Sequence, residues 1–165
     1  MTRSRTRAGE RGQVAVYAIL LFPLLMLVLG LVLAVGSIEG LRTRIRAQLD
    51  MAALTATQAL DIDALARGGA PVLDAATADS LAREYLARNL AALGDQIVMS
   101  PTSIAGAAEV VVTNTPGLDP ITGASNTAPT VSIRIRVPAR IPLLGLAGLD
   151  TTVELTLTGS AAARS

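Results

Sequence analysis

From Gly12 to Ile38 the chain carries no charged residue, and Val14 to Val35 is almost entirely Leu, Val, Ile, Ala, Phe or Met. About 20 apolar residues at a rise of ~1.5 Å each cross the ~30 Å hydrocarbon layer of a bilayer. A helix in a soluble core is rarely apolar on every face for so long. The pattern therefore predicts a membrane-inserting helix, and Pro23 does not break it, because lipid-embedded helices tolerate proline. The apolar part of a secretory signal runs only ~7–15 residues, so a retained anchor is expected rather than a segment cleaved near Gly36. Arg3, Arg5, Arg7 and Arg11 precede the run, and Arg42, Arg44 and Arg46 follow it. This slight bias leans toward a cytoplasmic N-terminus with the remainder outside, as expected for a single-pass protein of the cytoplasmic membrane.

Beyond Glu39 the texture changes but the helical period continues. Ile38, Leu41, Ile45, Leu49, Ala52, Ala56 and Leu60 recur at spacings of three and four, one apolar stripe along a helix. No proline stands between positions 24 and 70. The pattern predicts one helix from about Gln13 to Leu60, its first half in lipid and its second half offering the stripe to a domain or a partner helix. A break at Gly36 or Gly40, with a separate juxtamembrane helix after it, is the alternative.

"DIDALARGGAP" supplies a polar break. "TADSLAREYLARNLAALG" then predicts a second helix ending at Gly94, with Leu81, Tyr85, Leu86, Leu90 and Leu93 on one side. Asp79–Arg83 and Glu84–Arg88 are spaced to pair along it, acid first. From Asp95 the period changes. "AAEVVVTN", "TVSIRIRVP" and "TTVELTLTG" predict strands, with Val131, Ile133, Ile135 and Val137 facing opposite to Ser132, Arg134 and Arg136. That alternation suits an antiparallel sheet with one wet face. "TPGLDPITGASNTAP" predicts a loop. "ARIPLLGLAGLD" predicts a hydrophobic connection whose Leu143, Leu144 and Leu146 are expected to be buried. The expected fold is α+β: a long N-terminal helix, a second helix and a three- or four-stranded antiparallel sheet, a pilin-like plan. Its divisions are a basic cytoplasmic N-terminus (1–12), the anchor (13–38), the amphipathic extension (39–60) and a small exported domain (61–165).

Composition narrows the chemistry. The chain lacks Cys and His, and all 14 basic residues are Arg. The usual zinc, haem and iron–sulfur ligands are therefore missing, as are the usual activators of a nucleophilic Ser or Thr. Arg titrates too high for an ordinary base. Only paired carboxylates remain, and Asp61 and Asp63 of "DID" read better as loop residues than as a catalytic pair. No enzyme activity, cofactor, metal or small-molecule substrate is expected. A net charge of +1 and three aromatic residues (Tyr17, Phe22, Tyr85) give no platform for nucleic acid.

"RGQVAVYAILLFPLLMLVLGLVLAVG" followed by "RIRAQLDMAALTATQAL" resembles the N-terminal region of the TadE/TadG-like family, the pseudopilin-like, membrane-anchored components of tight-adherence (Flp-type) pili and secretion systems. The family's Arg-Gly pair, its proline within an apolar helix, and its Asp before Ala-rich sequence match Arg11-Gly12, Pro23, and Asp50 with Ala52, Ala53 and Ala56 here. "VPARIPLLGLAGLDTTVELTLTGSAAAR" is more loosely similar to the family's closing strands. The resemblance implies a structural role, by packing and assembly, with the membrane and other pilus or pseudopilin subunits as partners in a homo- or hetero-oligomer. It makes Gly12 the candidate site of prepilin-type processing. Processed members carry Glu at the fifth residue after the cleavage glycine, where this chain has Tyr17. The departure favours an unclipped, short, TadG-like anchor. The alternative is an anchored or secreted surface binding module unrelated to pili.

Overall fold

The computed structural model describes residues 8–68, 70–145 and 148–163, with side chains described from Val16 onward except that of Leu143. Arg3, Arg5 and Arg7 of the basic start, and Leu146 of the hydrophobic connection, lie outside the described residues. A single helix, α1 (Ala8–Ala56), carries the anchor and the amphipathic extension without a break. Its 49 residues make it about 74 Å long at ~1.5 Å per residue. Pro23 lies inside it and Gly36 and Gly40 do not interrupt it.

The helix stops four residues short of the expected Leu60. There is no Gly or Pro at that point; tertiary contacts end it instead. Thr57 Oγ1 donates to the Leu54 carbonyl at 2.7 Å, the Asp74 N–H donates to the Ala59 carbonyl at 2.8 Å, and Leu60 forms a bridge with Leu73. Leu60 is thus off the helix and 39% exposed, which removes it from the stripe. The "DID" stretch begins a short helix, α2 (Ile62–Ala66), and Asp61 Oδ1 caps it by accepting from the Ala64 N–H at 2.9 Å. The aspartate stabilises a helix start, as short acidic side chains do at that position.

The second long helix, α3 (Ala75–Ala91), is capped by Asp74, whose side chain accepts from the N–H groups of Ala76 and Thr77 and from Thr77 Oγ1. These bonds hold the Asp74 carboxyl below the usual range, the Thr77 N–H contributing most. Asp79–Arg83 and Glu84–Arg88 pair at 2.9 and 2.8 Å. The buried face takes in the expected Leu86, Leu90 and Leu93 and adds Ala78 and Ala82, while Leu81 and Tyr85 lie at its margin. Alanines on α3 and on α1 share one core, which allows two helices to approach closely.

A 3₁₀ turn (Gly94–Gln96) and a short helix, α4 (Pro101–Gly106), follow. Ser100 accepts from the Ser103 N–H as N-cap, and Pro101 takes the first turn, where its missing N–H costs nothing. Arg83 reaches across to donate to the Ala105 and Gly106 carbonyls, both at 2.9 Å, at the end of α4.

The sheet contains β1 (Glu109–Thr113), β4 (Thr130–Arg140) and β5 (Thr152–Ala162), antiparallel in the order β1-β4-β5. A separate two-stranded ladder, β2 (Gly117–Leu118) with β3 (Ser125–Asn126), stands in the expected loop. A one-turn helix, α5 (Pro142–Gly145), joins β4 to β5. Val131, Ile133, Ile135 and Val137 are buried on the helix side with Leu155 and Leu157. The opposite face is not wholly wet. Ser132 and Thr130 are buried there as well, Ser132 under the β2–β3 hairpin through its bond to Asp119. Pro138 falls beyond β1's reach, outside the regular β1–β4 ladder, and its carbonyl accepts from the Val98 N–H at 2.9 Å beside an isolated bridge between Ile97 and Ala139. That is where a strand tolerates proline.

Candidate functional site: the packing face of the long helix

The two halves of α1 meet different surroundings. From Val16 to Leu33 every large apolar side chain is exposed, between 46% and 71%. From Leu41 on, one stripe is covered: Leu41, Ile45, Leu49, Ala52 and Ala56 are at most 4% exposed, and Ile38 is partly buried at its margin. Ala53 joins the stripe as a buried position that three-and-four spacing alone did not single out.

The cover comes from the chain itself. Helix α1 packs against α3 and β5, and more lightly against α5 and β4. The order of contacts gives the direction of each layer. Helix α3 starts beside the end of α1, because Asp74 bonds to Ala59, and by Gln96 the chain has returned to line a cleft with Gly40 and Arg44. Strand β5 runs the other way. Thr156 and Leu157 lie beside Arg42 and Arg46, whereas Gly159 lies beside Leu49 and Asp50. The stripe is therefore the inner wall of the domain rather than a free surface.

Asp50 has a defined neighbour. A Cβ at Gly159 would stand 2.8 Å from Leu49 Cβ and 2.8 Å from Asp50 Oδ1, closer than non-bonded atoms approach. Glycine at this point of β5 lets the strand lie directly on α1. Pro23 sits mid-helix on the exposed half. Arg11 and Gly12 belong to the helical backbone of α1. The structure thus puts Asp50 against the domain and leaves Pro23 on the uncovered half.

Residues 12–60 match the family model described as putative Flp pilus-assembly TadE/G-like. The TadE/G-like match starts at the Arg11-Gly12 pair, takes in the exposed half of α1 and the whole buried stripe, and ends where the chain turns toward α2. The looser likeness in residues 130–162 is not part of it. No curated protein and no solved structure matches the chain.

Two polar sites were not legible as such. Asp119, 2% exposed, accepts from the Ile121 N–H at 2.7 Å, the Thr122 N–H at 2.9 Å, Asn126 Nδ2 at 3.5 Å, and Ser132 Oγ. Burial pushes this carboxyl up, but the bonds from Ser132, Thr122, Ile121 and Asn126 outweigh it and hold it below its usual value. Asn114 exchanges two hydrogen bonds with the backbone of Leu73, at 2.8 and 2.9 Å, and so ties the end of β1 to the start of α3. Asp119 and Asn114 satisfy buried backbone and hydroxyl groups, a structural task.

Three surface clefts border the sheet and α1. The first is lined by Ser37, Gly40, Leu41, Arg44, Gln96, Arg140, Ile141 and Pro142, the second by Glu39, Arg42 and Arg46 with Thr156, and the third by Glu109, Arg134 and Arg136. None of these three brings two carboxylates together. Glu39 and Glu109 are each bonded to an arginine, Arg42 at 3.0 Å and Arg134 at 2.8 Å. The arrangement offers surfaces and packing, not an acid–base pair.

Proposed function

We propose that the chain is a membrane-anchored, pseudopilin-like structural component of a Tad/Flp-type pilus or secretion system, and that it works by packing. The observation that carries this reading is the coincidence of two boundaries. The segment similar to the Flp pilus-assembly family, residues 12–60, is also the segment that holds the apolar anchor and the face on which the domain is built. One continuous helix fixes the domain at a set height and rotation above the membrane, since a helix transmits both along its length. The anchor stays in place with its N-terminus in the cytoplasm and the domain outside, and it is not clipped at Gly12, because Tyr17 replaces the acidic residue that processed members use. Its partners are other membrane-anchored subunits of the same machinery.

The test is deletion in the source organism, followed by complementation with the full chain and intact-mass measurement of the membrane fraction. Loss of surface pili, restored by a full-length membrane-bound product, is the expected result. Unchanged pili after deletion would overturn the pilus role. A restored product lacking its first 12 residues would instead make the chain a processed filament subunit.

A further inference from the structure

We propose that the cleft between α1 and the β4–α5 corner binds the phosphate of an anionic phospholipid at the membrane surface. The cleft has a volume of about 380 Å³ and is walled by Ser37, Gly40, Leu41 and Arg44 of α1 on one side and by Arg140, Ile141 and Pro142 on the other. This lies within the range of small-ligand sites, ~300–1,000 Å³.

Its height is set by α1. The uncharged run ends at Ile38, so Arg44 stands about 9 Å above that point at ~1.5 Å per residue. Side chains on a helix lean toward its N-terminus, which here is the membrane side. The Arg44 guanidinium is therefore directed back toward the headgroup layer, which occupies ~5–8 Å beyond the hydrocarbon on each face. Arg140 is the last residue of β4, the end of that strand nearest the membrane. Among the described residues, neither Arg44 nor Arg140 has a carboxylate partner, whereas Arg42, Arg83, Arg88 and Arg134 each do.

The apolar lip of the cleft supplies a second, independent observation. Ala34 is 1% exposed although Leu33 and Val35 on either side are 52% and 53% exposed. Helix α5 packs on α1, and Leu144 packs against the same cluster as Ala34. Ala34 lies about 6 Å inside the end of the uncharged run, so the core cluster reaches down past the boundary. Leu149, 55% exposed, extends its apolar surface. A lipid seated here would place its phosphate between two unpaired guanidinia and its chains along the uncovered half of α1. A free phosphate could use only the first of these.

The full chain is reconstituted in phosphatidylcholine bilayers, and its association with spin-labelled phosphatidylglycerol is compared with that of spin-labelled phosphatidylcholine. A preference for phosphatidylglycerol of about threefold or more is expected from two arginines near the surface. Arg44→Gln with Arg140→Gln should bring the preference to near parity. Arg136→Gln removes the same charge about 13 Å farther up β4 and should leave it. Excess inorganic phosphate, matched in ionic strength with chloride, should not reduce it. Parity in the unaltered protein, or a preference that survives the double substitution, overturns the proposal. Displacement by phosphate overturns the lipid as occupant and leaves a general anion site. Both arginines are exposed, so the variants should keep the circular dichroism of the parent; should the double variant lose it, the single substitutions are compared instead, each expected to lower the preference partway.

Discussion

The lower and upper halves of α1 share one backbone, but the lower is a run of Leu, Val and Ile while the upper intersperses Leu, Ile and Ala with charged and polar residues, and only the upper half is amphipathic. In the lower half, Val16 to Leu33, apolar groups point in every direction and no part of the chain covers them. In the upper half, Ile45 and Leu49 are fully buried while Arg42, Arg44 and Arg46 stay exposed around them. The helix continues unchanged through Ile38; what changes is whether the rest of the chain covers its apolar groups. Lipid rewards apolar groups on all faces, whereas water rewards them on one face only and only if something covers it. A single helix can therefore serve two solvents, provided its charge pattern begins at the boundary between them.

Charge in the covered stripe should break the upper half alone. Ile45→Asp with Leu49→Asp leaves two unpaired charges in a core position, at about 3–5 kcal/mol each, against a total stability of about 5–15 kcal/mol for a domain. The domain should unfold and become sensitive to protease, while the protein remains resistant to carbonate extraction. If the domain stays protease-resistant, the stripe does not hold it. A milder pair makes the comparison quantitative. Leu49→Ala should cost about 2–5 kcal/mol of domain stability in a denaturant titration. Leu27→Ala, the same change in the uncovered half, should stay within about 0.5 kcal/mol. Equal effects would mean that the domain also leans on the lower half.

The anchor and the stripe were legible because each rests on periodicity within one helix: the absence of charge from Gly12 to Ile38, and the three-and-four spacing from Ile38 to Ala56. Two strands, β4 and β5, were legible for the same reason, with period two, and β1 through its run of β-branched residues. The end of α1 was not, since Thr57, Leu60 and Asp74 stop it through contacts across a link rather than through a local breaker. Helix α4 did carry a signal, Ser100 followed by Pro101, which the β-branched run after it obscured. The pair of Arg134 with Glu109, directly opposite on β1, was not legible either, because register depends on strand order and strand order is not written locally. The site at Asp119 joins residues 119 and 132, and the clefts join α1 to β4 and β5. Such juxtapositions arise only once the layers are stacked.

Between the stripe and the sheet the contact is closest at Gly159, and a methyl group there tests how tightly the upper half is held. In Gly159→Ala the new Cβ would meet Leu49 Cβ, which lies against the helix axis and cannot swing aside, and Asp50 Oδ1, which can. Overpacking of this kind costs about 1–3 kcal/mol. Truncating the movable neighbour as well, in Asp50→Ala with Gly159→Ala, should recover part of the loss but not all of it, because Leu49 remains. Full recovery would assign the close approach to the carboxylate alone. Neither change should alter carbonate resistance, which belongs to the lower half.

An effect of comparable size is expected on the other face of the sheet, at Asp119, and it distinguishes stability of the sheet from stability of the helix–sheet contact. The folded carboxyl is held below its usual value, so its contribution to stability is fully present above the unfolded value of about 3.9 and is lost as pH falls through the folded one. Asp119→Asn keeps the shape but removes the charge that Ser132 and the Ile121 and Thr122 N–H groups bond to. It should cost about 1–3 kcal/mol at neutral pH and flatten this part of the acid dependence, so that parent and variant converge once the pH has fallen through the folded value. Thermal unfolding of both proteins from pH 7 down to that range reads the difference directly. A constant gap at every pH would mean that the aspartate acts through shape rather than charge. A gap that also changed with truncation of Leu49 would show that the hairpin and the helix contact form one cooperative unit, with the influence of the upper half of α1 reaching through β4 to the far face of the sheet.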